Sequence, residues 1–92
     1  MAGDALVFEL YSSSFCGACQ QTRRVLDEVA RLVPAATVVE HNVATEPALA
    51  EERDIDATPT VIVHDRQGRE AFRARGVPTI DQVLTVAAKV LA

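Results

Sequence analysis

The sequence predicts an α/β domain in the order β-α-β-α-β-β-α, with a four-stranded mixed sheet and helices on both of its faces. Three observations carry this. The hydrophobic period switches repeatedly between two and 3.6 along the chain, so strand-like and helical segments alternate. The 92 residues are 49% hydrophobic and 24% charged, the balance of one globular domain, taken here as residues 1–92. The only two cysteines, Cys16 and Cys19, stand together at one of the switches in period, which leaves no disulfide framework for a loop-rich fold.

The elements follow in order. Leu6-Val-Phe-Glu-Leu-Tyr11 is an apolar run bounded by serines and reads as a buried strand. Ser12-Ser-Ser14 is the loop after it. From Cys16 the period becomes helical. Thr22, Val25, Leu26, Val29 and Val33 fall on one face, with Gln21, Arg24, Glu28 and Arg31 opposite. Arg23–Asp27 and Arg24–Glu28 are spaced to pair along the solvent side, for roughly a few tenths of a kcal/mol. Pro34 stops this helix near Leu32 or Val33.

Thr37 to Val43 reads as the second strand. Thr45 is placed to cap a short helix with Pro47 in its first turn, running to about Arg53. Ile55-Asp-Ala-Thr58 leads into Pro59. Thr60-Val-Ile-Val-His64 is a third strand, dense in β-branched residues. Asp65-Arg-Gln-Gly68 is a reverse turn. Glu70 to Arg75 is a fourth strand, whose alternating charges suit a sheet edge. Gly76 and Pro78 end it. Thr79 and Gln82 form a capping box for a last helix with Ile80, Val83, Leu84, Ala87 and Leu91 on its apolar stripe. Two βα units imply a right-handed crossover between parallel strands, and the hairpin adds two antiparallel ones.

Charge narrows the function. Nine basic and thirteen acidic side chains give a net charge of −4, against the basic footprint that nucleic acid requires. Met1-Ala-Gly-Asp-Ala5 has neither the positive flank nor the apolar run of a secretory signal. No apolar stretch is long enough to cross a bilayer. The expected setting is the cytoplasm, without a membrane partner.

In a reducing compartment a lone close cysteine pair reads as redox or metal chemistry. Cys16-Gly-Ala-Cys19 opens a helix directly after a buried strand. A helix N-terminus carries unpaired N–H groups and about half a positive charge, which stabilises a thiolate on Cys16. At most this is worth about 2 kcal/mol. That would lower the cysteine pKa below its usual value of about 8.5 and raise the thiolate fraction at neutral pH above a few per cent. Residues three apart on a helical turn point the same way, so the two sulfurs can close a disulfide. Gly17 and Ala18 are small and leave Cys16 open to a bulky disulfide. Cys16 would attack a substrate disulfide, and Cys19, deeper in the first turn, would then attack Cys16 and release the reduced substrate. The alternative is half of a zinc site. It lacks a second close ligand pair, because His41 and His64 are the only other soft donors and sit apart on strands. No metal and no cofactor are expected.

With these residues in place, the sequence resembles the thioredoxin superfamily. The resemblance rests on Phe15-Cys-Gly-Ala-Cys19 opening a helix and Thr58-Pro59-Thr60 opening a later strand, and it extends from Leu6 to Leu91. It implies a thioredoxin-like fold trimmed to glutaredoxin size, and a protein-disulfide reductase or electron carrier. It also implies a cis bond before Pro59, with the Thr58 backbone beside Cys16 to pair with an extended substrate segment. Gly76 resembles the glycine lining the same groove. Phe15, Gly17 and Ala18 would complete the surface that meets substrate. The implied partners are protein disulfides and a thioredoxin reductase, met by a monomer. Phe15 and Ala18 depart from the family's usual tryptophan and proline. Leu10 stands where thioredoxins carry a buried aspartate, and Glu40 on the neighbouring strand would substitute only if it faced inward. Arg75-Gly-Val-Pro-Thr79 lacks the Gly-Gly and Asp with which glutaredoxins hold glutathione. The remaining alternatives are a glutaredoxin-like donor to one dedicated reductase, metal or cluster binding through Cys16 across a dimer, and a thioredoxin-fold binding module without redox activity.

Overall fold

Alternation along the first strand, β1 (Leu6–Ser12), sends Leu6, Phe8 and Leu10 to one face of the sheet and Val7, Glu9 and Tyr11 to the other. The computed structural model describes residues 6–92, and Met1–Ala5, read above as lacking a signal, lies outside the described residues. The other elements are α1 (Gly17–Leu32), β2 (Ala36–Asn42), α2 (Pro47–Glu52), β3 (Thr60–His64), β4 (Glu70–Arg75) and α3 (Ile80–Leu91). The strands lie in the order β2-β1-β3-β4. β1 pairs parallel with β2, and β3 pairs antiparallel with both β1 and β4.

One face carries the core. Leu6, Phe8, Leu10, Val61 and Val63 from the sheet meet Leu26 and Val29 of α1 and Val83 and Ala87 of α3. α1 and α3 pack on each other above this layer. α2 lies against the opposite face, where Glu46 at its N-cap meets His41 and the Arg53 carbonyl at its C-cap meets Arg73. Both faces are therefore covered as the sequence predicts. No helix among the described residues is long and apolar enough to cross a membrane.

Local signals place most boundaries. Val33 caps α1 through its N–H to the Val29 carbonyl, one residue before Pro34. Gly68 takes φ +78° in the hairpin turn and donates its N–H to the Asp65 carbonyl at 2.9 Å. The capping box forms: Gln82 N–H donates to Thr79 Oγ1 at 3.0 Å, and Thr79 N–H donates to Gln82 Oε1 at 2.9 Å.

Four expectations are corrected. β1 runs one residue further, to Ser12, and β2 is shifted by one residue at both ends, to Ala36–Asn42, because strand pairing runs in register from Leu6↔Ala36 to Ser12↔Asn42. Thr45 does not cap α2. Asn42 accepts the Ala44 N–H on its side chain, the Thr45 hydroxyl is drawn back to the Asn42 carbonyl, and the helix starts one residue later with Glu46 as an N-cap lacking a side-chain bond. The charge pairs on α1 also differ. Arg23 turns away from Asp27 to a bidentate bond with Glu40 at 2.6 Å, which an isolated helix could not offer, and Glu28 pairs with Arg31. Ile80, the first residue of α3, is exposed beyond the sheet, while Val86 and Val90 extend the stripe instead.

Candidate active site

Three chain segments meet at one end of the sheet. Strand register sets Tyr11, Thr60 and Arg75 side by side across β1, β3 and β4. The next residues outward are Ser12, Pro59 and Gly76. Gly76, at φ +84°, donates its N–H to the Pro59 carbonyl at 2.8 Å and ties the end of β4 to the loop before β3. Ser13 and Thr58 share a hydroxyl–hydroxyl hydrogen bond of 2.8 Å, which ties the same loop to the segment leading into α1.

At that segment Cys16 is the N-cap of α1. Its Sγ accepts the N–H of Cys19 at 3.0 Å, so the sulfur occupies the place where a capping oxygen would satisfy the helix's free donors. Cys16 and Cys19 are joined as a disulfide with Cα atoms 5.1 Å apart, within the ordinary range. The two sulfurs are not equivalent. Cys16 is partly exposed, whereas Cys19 is 1% exposed. Phe15, at φ +57°, stands wholly in solvent beside them, and Gly17 and Ala18 are exposed. The Thr58–Pro59 bond is cis. Thr58 is half-buried, and its amide and carbonyl make no hydrogen bond among the described residues. A cleft of about 250 Å³ lined by Val43, Ile55, Asp56, Ala57 and Thr58 opens next to it. Every residue singled out from the sequence as contacting substrate is thus at this end of the sheet or in the turn that enters α1.

The model of the family described as Thioredoxin matches residues 2–89. The chain belongs to the thioredoxin family. Relatives of this thioredoxin-family protein include the thioredoxin of Methanocaldococcus jannaschii, 40% identical over 57 residues that span 61% of this chain and 67% of that one. The thioredoxin of Chlamydia trachomatis is 26% identical over 84 residues, covering 91% of this chain and 81% of that one. Among solved structures, a mutant thioredoxin from Halobacterium salinarum superposes with a TM-score of 0.87 at 20% identity, over 99% of this chain and 79% of that one. Chloroplastic thioredoxin z superposes at 0.84 with 23% identity, over 96% and 80%. These two likenesses establish the fold. Family membership together with the paired Cys16 and Cys19 makes the protein a thiol–disulfide oxidoreductase.

This thioredoxin-family protein handles its polar groups in its own way. Leu10 is fully buried in the core. Glu40, its partner across β1 and β2, projects to the same face as Leu10, toward Arg23 of α1, but stays outside the core. Its carboxylate, about a third exposed at 32%, is held by Arg23 and by the Ser12 hydroxyl at 2.7 Å. The Arg23 bond holds its carboxyl below the usual value against a smaller cost of burial, and Ser12 helps.

A second polar group escaped sequence reasoning. On the face opposite the core, the Glu9 carboxylate receives the Tyr11 hydroxyl at 3.0 Å, lies 2.7 Å from His64 Nε2 and lies 3.4 Å from His41 Nε2. Both histidines weighed as zinc ligands therefore point at one carboxylate. Among the described residues no group of three or more His, Cys, Asp or Glu is arranged to hold a metal. The available signal was one acid inside an apolar strand and one histidine inside another. Burial pushes the Glu9 carboxyl up, but the bonds from His64 and Tyr11 and the nearby charges of His64 and Arg53 outweigh it, so its pKa is lowered. Burial and Glu9 together push the Tyr11 phenol up to about 12.

A pH dependence follows. Folded Glu9 holds a proton less readily than unfolded Glu9, so its stabilisation is complete above the ordinary value of 4.5 and is lost as pH falls through the lowered native value. Glu9→Gln should cost about 1–2 kcal/mol at neutral pH. It should also flatten the loss of stability on acidification. Urea midpoints measured from about pH 7 down to about pH 3 check both. An acid limb as steep as that of the parent protein would show that Glu9 does not contribute.

Proposed function

We propose that the protein reduces disulfides of partner proteins, with Cys16 as the attacking thiolate and Cys19 as the resolving thiol, and that a flavoprotein thioredoxin reductase restores the dithiol. It acts as a monomeric electron carrier in the cytoplasm. The observation that carries the reading is the asymmetry of the pair: Cys16 is open to a visitor at the mouth of α1, while Cys19 is sealed one turn inward.

In the reduced state the free N–H groups at the start of α1 stabilise the Cys16 thiolate, replacing with the anion the contact that its sulfur already makes to the Cys19 amide. The thiolate attacks one sulfur of the substrate disulfide. A Cys16–substrate bond forms, the substrate S–S bond breaks, and the second substrate sulfur leaves as a thiolate. Deprotonated Cys19 then attacks Cys16 Sγ, closes the internal disulfide and releases the other substrate thiolate. Two electrons have passed from the dithiol to the substrate. The exposed Phe15, Gly17 and Ala18 form an apolar rim on one side of Cys16. The free backbone groups of Thr58, with Pro59 and Gly76, offer an edge for an extended substrate segment.

The test is a coupled assay with insulin as substrate and NADPH as the electron source. Thioredoxin reductase should sustain turnover, and glutathione with glutathione reductase should sustain it at least about tenfold more slowly, given the missing glutathione-binding pattern. Equal or faster turnover with glutathione would replace the proposed electron donor.

A further inference from the structure

Thr58 occupies an unusual position in the hydrogen bonding of its loop. The residue before it is anchored, because the Ala57 carbonyl accepts the Thr60 hydroxyl at 2.7 Å. The residue after it is anchored, because the Pro59 carbonyl accepts the Gly76 N–H at 2.8 Å. The backbone of Thr58 itself is unbonded among the described residues. Its one polar anchor there is the 2.8 Å contact between its Oγ1 and Ser13 Oγ, across 45 positions of sequence. Ser13 is three residues ahead of Cys16 on the segment that carries the attacking sulfur into α1.

From this geometry we infer that the Ser13–Thr58 hydroxyl pair is a positioning clamp for the reaction. It fixes the distance and tilt between the backbone edge that receives the substrate segment and the segment that presents Cys16. The inference rests on the reading that Thr58 receives substrate. Neither hydroxyl touches the reacting sulfurs among the described contacts, so both residues act through what they hold. The pair is partly buried, so water competes for it less than at an open surface. Without the bond, an arriving segment must itself order the Thr58 loop against the Cys16 turn. The cost falls on productive binding, because Cys16 and the helix mouth are untouched once the substrate is seated. In the cleft beside Thr58, Val43, Ile55 and Ala57 offer no side-chain donor or acceptor, and the Asp56 carboxylate is taken up by Arg75 at 3.2 Å, so the lining does not replace the bond.

The experiment is a double-mutant cycle in the intact protein: Ser13→Ala, Thr58→Val and the pair combined, with Thr58→Ser as the variant that keeps the hydroxyl. KM and kcat are measured with insulin, and melting temperature is recorded for each variant. Ser13→Ala and Thr58→Val should each raise KM about three- to tenfold, with kcat within about twofold of the parent, the effect of one neutral hydrogen bond spent on ordering. The double variant should cost no more than the worse single variant, because the two hydroxyls act as one unit. Thr58→Ser should recover most of the parent KM. Parent KM in both single variants, additive KM effects, or a lowered melting temperature with no change in KM would each overturn the clamp while leaving the disulfide-reductase reading in place. A parent protein that does not reduce insulin, or a Cys16→Ser variant that still does, would overturn that reading and the clamp with it.

Discussion

Cys16→Ser should lower turnover of a protein disulfide by at least about 10³-fold, whereas Cys19→Ser should stop the cycle one step later with the substrate covalently attached. A serine hydroxyl at neutral pH supplies almost no anion, and the helix mouth cannot make up the difference with about 2 kcal/mol of dipole stabilisation. Cys19→Ser leaves the exposed thiolate and its helix intact, so the first attack proceeds. No second thiol is then within reach to free the substrate, because the chain has no other cysteine. The product is a mixed disulfide of one substrate per protein, visible by mass spectrometry and cleared by dithiothreitol. The asymmetry of exposure, with Cys19 at 1%, is what makes the two variants differ. If Cys16→Ser formed the adduct and Cys19→Ser did not, the roles would be reversed, and access would not control which sulfur leads.

What the sequence disclosed and what it withheld divide along the range of the forces involved. β3 and β4 begin and end where β-branched runs, Gly68 and Gly76 put them, and the capping box at Thr79 and Gln82 forms as spaced. Each depends on residues a few positions apart. The placement of Cys16 at a helix start is of the same kind, so the reactive pair was legible early. The cis bond before Pro59 came from family resemblance, because local physics prefers the trans form. The misread features depend on partners brought together by the fold. Arg23 chose Glu40, 17 positions away, over Asp27, and Glu9 met His64 across 55 positions. Periodicity does not report such distances. It had marked Glu9 only as an acid in an apolar run, and Ser13 only as part of a serine loop. Local errors occurred too: Glu28 took Arg31 three residues on over Arg24, and Thr45 does not cap α2 because Asn42 offered the chain a competing turn just upstream.

Phe8→Ala should cost about 3–5 kcal/mol of stability although the side chain lies outside the site. Phe8 has no solvent exposure, lies in the interior strand β1, and is paired with Val38 on one side and Val63 on the other. Its ring is in the layer where the sheet meets α1 and α3, so truncation leaves a cavity that neither helix can close without losing other contacts. A domain of this size has net stability of about 5–15 kcal/mol, so the loss is a large share of the total. At about 4–8 °C per kcal/mol, the melting temperature should fall by roughly 12–40 °C. Leu32→Ala, at a position 50% exposed on α1, should change stability by less than about 0.5 kcal/mol and serves as the control. Below its lowered melting temperature, Phe8→Ala should keep kcat per folded molecule within about twofold, since the sulfurs are positioned by the cap of α1 and the loops at the sheet end. A proportionate fall in kcat with the protein still folded would mean that core packing under α1 sets the geometry of Cys16, and that local capping alone does not hold the helix mouth in place.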